Sequence, residues 1–448
     1  MSDTPTVSAQ MPAVWRLSWP IILSNITVPL LGLVDTAVMG HLDDARYLAA
    51  VTLGATLFSF LFWGFGFLRM GTTGLTSQAF GRDDHQTIRT LLGQSLMIAL
   101  VIGTALVIFA TPLIESGLWL LKGDPHTQLL ASSYAHIRIF SAPAVLVNYA
   151  IIGWFLGQQN SRVTLALMLL TNSVNIVFDL LFVVGLGMTS DGVAWGSVIA
   201  DYTALVAGLF MIAHRLGRLE GHFLLEPLRR LNAYTELFRV NRHLFVRTLC
   251  LLFAMAFFTS QGAQLGNDVL AANAVLMQCV MLVSYGLDGF AHSAEALTGR
   301  AAGRRDWALF AASVQACALF SIITACAASL FFIVGGEWLI ALLTDIPEIR
   351  TLAARYLDWL AVMPLIAVWS YLLDGVFIGA TETKAMRDTM LLSIVCYLPT
   401  WYFTQMMGNH GLWLSFTVFT CIRSLSLGLV YQYRRHRVWC TGLTTHTP

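Results

Sequence analysis

The chain has 448 residues, 57% of them hydrophobic and 11% charged, and a net charge of +1. A soluble domain carries roughly 25% charged residues, so little of this chain is built to face water, and the near-zero balance gives no signal for a nucleic-acid partner. There is no GxxxxGKS/T loop to cradle nucleotide phosphates and no HExxH zinc helix, so an enzyme is not expected, and any transport must be driven by an ion gradient.

A window of about 19 residues finds twelve apolar spans. They lie at about 13–38, 47–78, 90–115, 129–157, 162–186, 190–213, 244–264, 269–299, 308–333, 352–379, 387–407 and 411–432. The first is too long for a signal peptide and lacks a small-residue cleavage pattern, so it is read as a retained span. Pro20 and Pro29 fall inside it and remove backbone donors, which invites a hinge. Asp35 follows Pro29 in the same span. A carboxylate in the bilayer core costs several kcal/mol unless paired, protonated or hydrated, which makes it a functional candidate. The alternative is that Asp35 lies near a membrane surface, since Asp43 and Asp44 follow closely.

Span two holds Gly64, Gly66 and Gly71, read as sites of close helix packing. Span five carries Asn175 and Asp179, four apart and so on one helical face; span six carries Asp201 beside Ala200. The stretch from Arg215 to Arg247 is the most basic in the chain. Its LFRVNRHLF portion is either an amphipathic interfacial helix or a solvated linker held in place by charge. Span eight places Asp288, His292 and Glu295 at i, i+4 and i+7 on one face, span ten holds Asp374, and span twelve holds Arg423. Lipid is not what these groups face: they line a cavity, form a relay, or, in the case of Arg423, neutralise one of the carboxylates. The seven cysteines form no CxxC pair and sit mostly within spans, where a thiol packs as a small apolar group; neither disulfide nor metal is expected.

The second half repeats the first at an offset of 222 residues without a gap. Gly40 pairs with Gly262, Tyr134 with Tyr356, Gly153 with Gly375, Gly157 with Gly379, and Gly81-Arg82 with Gly303-Arg304. Six spans fall in each copy, so the copies share one orientation and are parallel repeats. The fold expected is therefore an all-α integral membrane protein of twelve transmembrane helices in two six-helix bundles. The expected organisation is an N-terminal lobe over 1–213, a basic inter-lobe loop over 214–243, a C-terminal lobe over 244–433 and a tail over 434–448. About 19 of the 26 Lys and Arg lie at the N-terminus, in even-numbered loops or in the tail, against about four in odd-numbered loops. The positive-inside rule then places both termini in the cytoplasm. The repeat also serves as an internal control. Asp35 falls opposite Phe257, and Asn175 and Asp179 fall opposite Tyr397 and Trp401, so architecture alone does not require the N-lobe polar groups.

PIILSNITVPLLGLVDTAVMGHL in span one, QAFGRDD after span two, NSVNIVFD in span five and GVAWGSVIADY in span six resemble the MATE (multidrug and toxic compound extrusion) transporters. LDGFAHSAEALTGRAAGRRD, LLDGVFIGATET and GNHGLWLSFTVF are similar to their bacterial DNA-damage-inducible F (DinF) branch. The resemblance covers essentially the whole chain. It implies a V-shaped pair of bundles in the inner membrane, acting as a monomer, that exports small cationic or amphiphilic organic compounds in exchange for protons or sodium ions, with no other cofactor. The family's N-lobe acidic site maps onto Asp35, Asn175 and Asp179. A threonine of some relatives falls on Ala200, one oxygen fewer for a sodium ion at Asp35, Asn175 and Asp179, while Asp201 adds a carboxylate. A carboxylate cluster in low dielectric can hold a proton near neutral pH, so protons are expected. Relatives of the NorM type place a glutamate on span seven where this chain has Phe257, which argues against a C-lobe sodium site. The alternative reading is a lipid-linked precursor flippase of the wider superfamily. It needs a cationic cavity, and Arg69, Arg138 and Arg423 are the arginines well within spans.

Overall fold

The computed structural model describes residues 6–40, 45–121, 124–222, 224 and 226–435; the side chains at 30, 31, 33, 35–40 and 45 lie outside that description. All regular structure among these residues is helical. Ten stretches are long and apolar enough to cross a membrane, and with the helices at Val7–Gly40 and Thr383–Thr404 they make up the twelve expected. We number them α1 (Val7–Gly40), α2 (Ala45–Gly64 and Phe67–Gly81), α3 (His85–Ile108), α4 (Pro125–Arg138 and Ala142–Gly157), α5 (Ser161–Asp179), α6 (Ser190–Leu216), α7 (Thr235–Gln264), α8 (Asn267–Arg304), α9 (Trp307–Leu343), α10 (Leu357–Gly379), α11 (Thr383–Thr404) and α12 (Asn409–Arg434). The chain is a multi-pass membrane protein. Its large apolar residues remain widely exposed on the helix surfaces, Phe210, Ile333 and Val334 among them, as expected where the solvent is lipid.

By compactness the chain forms two units, Leu23–Asn241 and the residues from Arg242 onward together with those up to Ile22. We call them the N-lobe and the C-lobe. The opening of α1 is thus built into the C-lobe. Ser18 and Ser293 hydroxyls meet at 2.7 Å, Trp15 stacks on Phe320 at 6.1 Å, and Gly289 leaves room for Ile22, whose Cγ1 would lie 2.3 Å from an added Cβ. The helix runs on through both Pro20 and Pro29.

The repeat read from the sequence reappears in the packing. A Cβ added at Gly153 would lie 2.5 Å from the Arg69 carbonyl oxygen, and one at Gly375 2.1 Å from that of Ala291. Residues 69 and 291 are themselves 222 apart. Gly157 meets Thr76, Thr73 and Ser77, and Gly379 meets Thr298, Glu295 and Gly299, the same three positions displaced by the same offset. Each lobe therefore brings α4 against α2, or α10 against α8, at a distance that admits no side chain at two successive turns. The turns match as well. Asp83 and Arg305 share positive φ at 54° and 56°, and Gln159 and Thr381 at 62° and 57°.

Asp84 and Asp306 are matching N-caps. Asp84 accepts from the Thr87 amide at 2.9 Å and from the Thr87 hydroxyl at 2.6 Å, whereas Asp306 accepts from the Leu309 amide alone at 2.9 Å. Burial pushes the Asp84 carboxyl up, but its hydrogen bonds from Thr87, together with the charges of Arg82 and His85, hold it below the usual carboxylate value. Its cap is then complete at neutral pH and is lost as pH falls through that depressed value. Each Asp→Ala change is expected to cost about 1 kcal/mol, more at Asp84 than at Asp306. Thermal melts in detergent at neutral pH check the ordering.

The basic stretch between the lobes resolves into two parts. Its described residues between Leu216 and Ala233 dock on α3 of the N-lobe. Arg89 donates from Nη2 to the Leu216 and Leu219 carbonyls at 2.7 and 2.6 Å, closing the end of α6, and Gln94 donates to the Ala233 carbonyl at 3.0 Å. LFRVNRHLF is neither a separate interfacial helix nor a linker. It is the first part of α7 and continues straight into the span.

Candidate functional site

The N-lobe site is built on the last turns of α5. Asn172, Asn175 and Asp179 recur at helical spacing and all three are buried, Asp179 completely. Asn172 donates to the Thr27 hydroxyl of α1 at 2.8 Å. Asn175, in the amide orientation that satisfies both of its ends, donates to Asp179 Oδ2 at 3.3 Å and accepts from the Ser197 hydroxyl and amide of α6 at 3.2 and 3.1 Å. One polar stripe on α5 thus reaches both α1 and α6.

Asp179 fits because of its neighbour on α6. A Cβ on Gly196 would lie 2.2 Å from Asp179 Oδ1 and 3.3 Å from the Asp179 amide nitrogen. Directly after Asp179 the helix widens into a π turn, Leu180–Gly185. Such turns release one backbone bond from the regular ladder and are frequent at functional positions.

Asp35 belongs to α1, but its side chain lies outside the described residues. Pro29 is on the same helix, one residue beyond Val28 and two beyond Thr27, which contacts the α5 stripe. Asp201, expected from the sequence as an added carboxylate in the coupling group, is held by Arg138 of α4 at 2.6 Å. Arg138 in turn lies over the Phe62 ring, 5.4 Å from its centroid, and also donates to Ser141. The charge of Asp201 is met by a cation on a neighbouring helix. Ala200 is buried and supplies no side-chain oxygen.

In the C-lobe the places that match Asn175 and Asp179 are aromatic, Tyr397 and Trp401, and the place that matches Asn172 is Ile394. Phe257 and Tyr397 pack edge to face at 5.3 Å, Tyr397 lies 5.5 Å from Phe419, and Phe258 packs on Trp413 at 5.1 Å. Trp401, opposite Asp179, donates to Gln261 at 3.1 Å. The C-lobe charges sit elsewhere. Glu295 is fully buried, and Asp288 and His292 are half-buried. Asp374 of α10 accepts from Nη2 of Arg423 on α12 and from Nη2 of Arg247 on α7, both on the same oxygen, Oδ2. The neutralising role open to Arg423 is therefore filled at Asp374, with a second arginine added. The Nε–H groups of both arginines are buried without an acceptor among the described residues, an arrangement that costs about 1–3 kcal/mol for each such group.

Sequence reasoning missed four participants. Asn172 and Ser197 were available from helical spacing around Asn175, and Thr27 from its place on α1. Arg247 was hidden because the basic run from Arg215 merges it with linker arginines, although it lies three turns inside α7.

The family profile MatE matches residues 20–181 and 244–403. The chain is 42% identical over 432 residues to the DNA damage-inducible protein F of Escherichia coli K12, covering 96% of this chain and 93% of that protein. It is 23% identical over 417 residues to a probable multidrug resistance protein NorM of Acinetobacter baylyi, covering 90% and 92%. Its fold matches a solved outward-facing structure of a multidrug resistance MATE family transporter of the MOP superfamily with a TM-score of 0.86 at 19% identity, over 95% of this chain and 96% of that one.

Proposed function

Because the chain belongs to the MatE family, we propose that it is a secondary-active multidrug exporter of the inner membrane that exchanges cationic or amphiphilic organic compounds for protons by alternating access. The observation that carries this reading is the lobe asymmetry. Two lobes that share packing at Gly153/Gly375 and Gly157/Gly379 differ where Asn175 and Asp179 of one stand opposite Tyr397 and Trp401 of the other. A fully buried carboxylate that the scaffold does not need is a coupling residue by default.

Proton rather than sodium is favoured by the way the oxygens are used. The Asn175 carbonyl oxygen is occupied by Ser197, and Asp201 is engaged by Arg138. A sodium ion requires several free oxygens, whereas a carboxylate holds a proton with one. In the proposed cycle, outward exposure lets a proton reach Asp35 and Asp179, the hydrogen bonds around α1 rearrange at Pro29, and substrate leaves. Inward exposure, with both termini cytoplasmic, releases the proton. The gradient supplies the asymmetry that binding alone does not.

Proteoliposomes test the reading with pH and sodium gradients imposed separately. Efflux of an organic cation such as ethidium is expected to follow an imposed pH gradient without sodium. Transport that stops in sodium-free buffer and returns with sodium at constant pH would overturn the proton assignment.

A further inference from the structure

The charges that touch one another in the C-lobe do not balance. Arg247 and Arg423 come from different helices and converge on a single oxygen of Asp374, so two guanidiniums share one carboxylate. Neutralising Asp374 needs one arginine. The second brings a like charge into contact distance of the first, which a buried site tolerates only for a reason. Both also keep an idle, buried Nε–H. The group is nearly but not fully enclosed, with 8% of each arginine side chain and 10% of the aspartate exposed. Asp288 and both arginines lie close enough to Tyr371, one turn before Asp374 on α10, to act on its hydroxyl, and Tyr371 bonds to Ser284 at 2.6 Å.

Two arginines with spare donors, fixed by a carboxylate that stands between them, form a receptor for a second acid. Guanidinium donors suit carboxylate, sulfonate and phosphate oxygens alike. We propose that Arg247 and Arg423 recognise the acid group of an amphiphilic organic anion, with Asp374 as the positioning residue that keeps both guanidiniums in place when the site is empty. The protein then handles acidic amphiphiles as well as cations. The purpose of the site rests on the export reading, but its occupancy does not, so the test measures binding without a gradient.

The purified full-length protein in uncharged detergent is titrated with 11-(dansylamino)undecanoic acid and with a dansyl alkyl-trimethylammonium of similar length. The triple variant Arg247→Gln, Arg423→Gln, Asp374→Asn removes the charges together and strands none. It is expected to bind the acid at least about tenfold more weakly, the scale of a lost charge-assisted hydrogen bond, with the trimethylammonium probe little changed. Wild-type affinity for the acid in that variant, or an equal loss of both probes, would overturn the proposal. Should the triple variant not elute as folded protein, Arg247→Gln alone decides: it leaves the Arg423–Asp374 pair balanced and is expected to weaken acid binding several-fold with the trimethylammonium probe unchanged, and wild-type affinity for the acid sinks the idea. Competition by dihexanoyl phosphatidylglycerol, with the phosphatidylcholine analogue as control, separates sources. Selective displacement identifies a lipid headgroup as the acid, and none identifies a free organic acid. Loss of ethidium efflux in proteoliposomes would leave the binding result standing, and the converse holds equally.

Discussion

Gly196→Ala is expected to reduce gradient-driven efflux as severely as Asp179→Asn, at least about tenfold, although residue 196 carries no chemistry of its own. The added methyl would stand 2.2 Å from Asp179 Oδ1 and also crowd the Asp179 backbone, so either the carboxylate rotates away from Asn175 or α5 and α6 separate. Overpacking of this kind costs roughly 1–3 kcal/mol, which a twelve-helix protein is expected to survive. Asn175→Ala should act in the same direction, because it removes the amide that joins Asp179 to Ser197. Tyr397→Phe, at the matching place in the C-lobe, keeps the ring that packs on Phe257 and Phe419 and should be mild. Efflux in proteoliposomes, normalised to folded protein by size-exclusion elution, makes the comparison. Equal damage from Tyr397→Phe would show that the difference between lobes does not mark the coupling site.

The two-lobed scaffold was legible because a repeat carries redundant information. Glycines at a fixed offset marked the repeat, and Gly153 and Gly375 turn out to approach carbonyls that are themselves 222 residues apart. Asn175 and Asp179 were legible for the same reason, as polar residues where the other copy is aromatic. Partners were harder to read, because an ion pair between helices leaves no spacing in the sequence. Asp201 stands 63 residues from Arg138, and Arg247 stands 127 from Asp374, separations that nothing local encodes. The start of α1 was illegible in another way. Its apolar pattern identifies a span but not that Trp15, Ser18 and Ile22 pack on α8 and α9, since in lipid a buried face and an exposed face are equally apolar.

Asp35→Asn is expected to bring gradient-driven efflux down to the level of an empty vesicle while substrate binding stays within about twofold of wild type. The repeat supplies the argument. Position 35 corresponds to Phe257 and position 175 to Tyr397, and in the C-lobe that pair packs edge to face at 5.3 Å. The N-lobe thus carries a carboxylate and an amide in its sequence where the C-lobe carries two packed rings, so the repeated scaffold does not itself require Asp35. Asparagine keeps the shape of aspartate and hydrogen-bonds at the same two atoms but does not take up or release a proton near neutral pH. A folding role would therefore survive the substitution, and a coupling role would not. Binding of ethidium to the purified variant, measured alongside efflux under an imposed pH gradient, separates the two. Loss of binding together with transport would make Asp35 a substrate or scaffold residue, and undiminished efflux would move the coupling step to Asp179 alone.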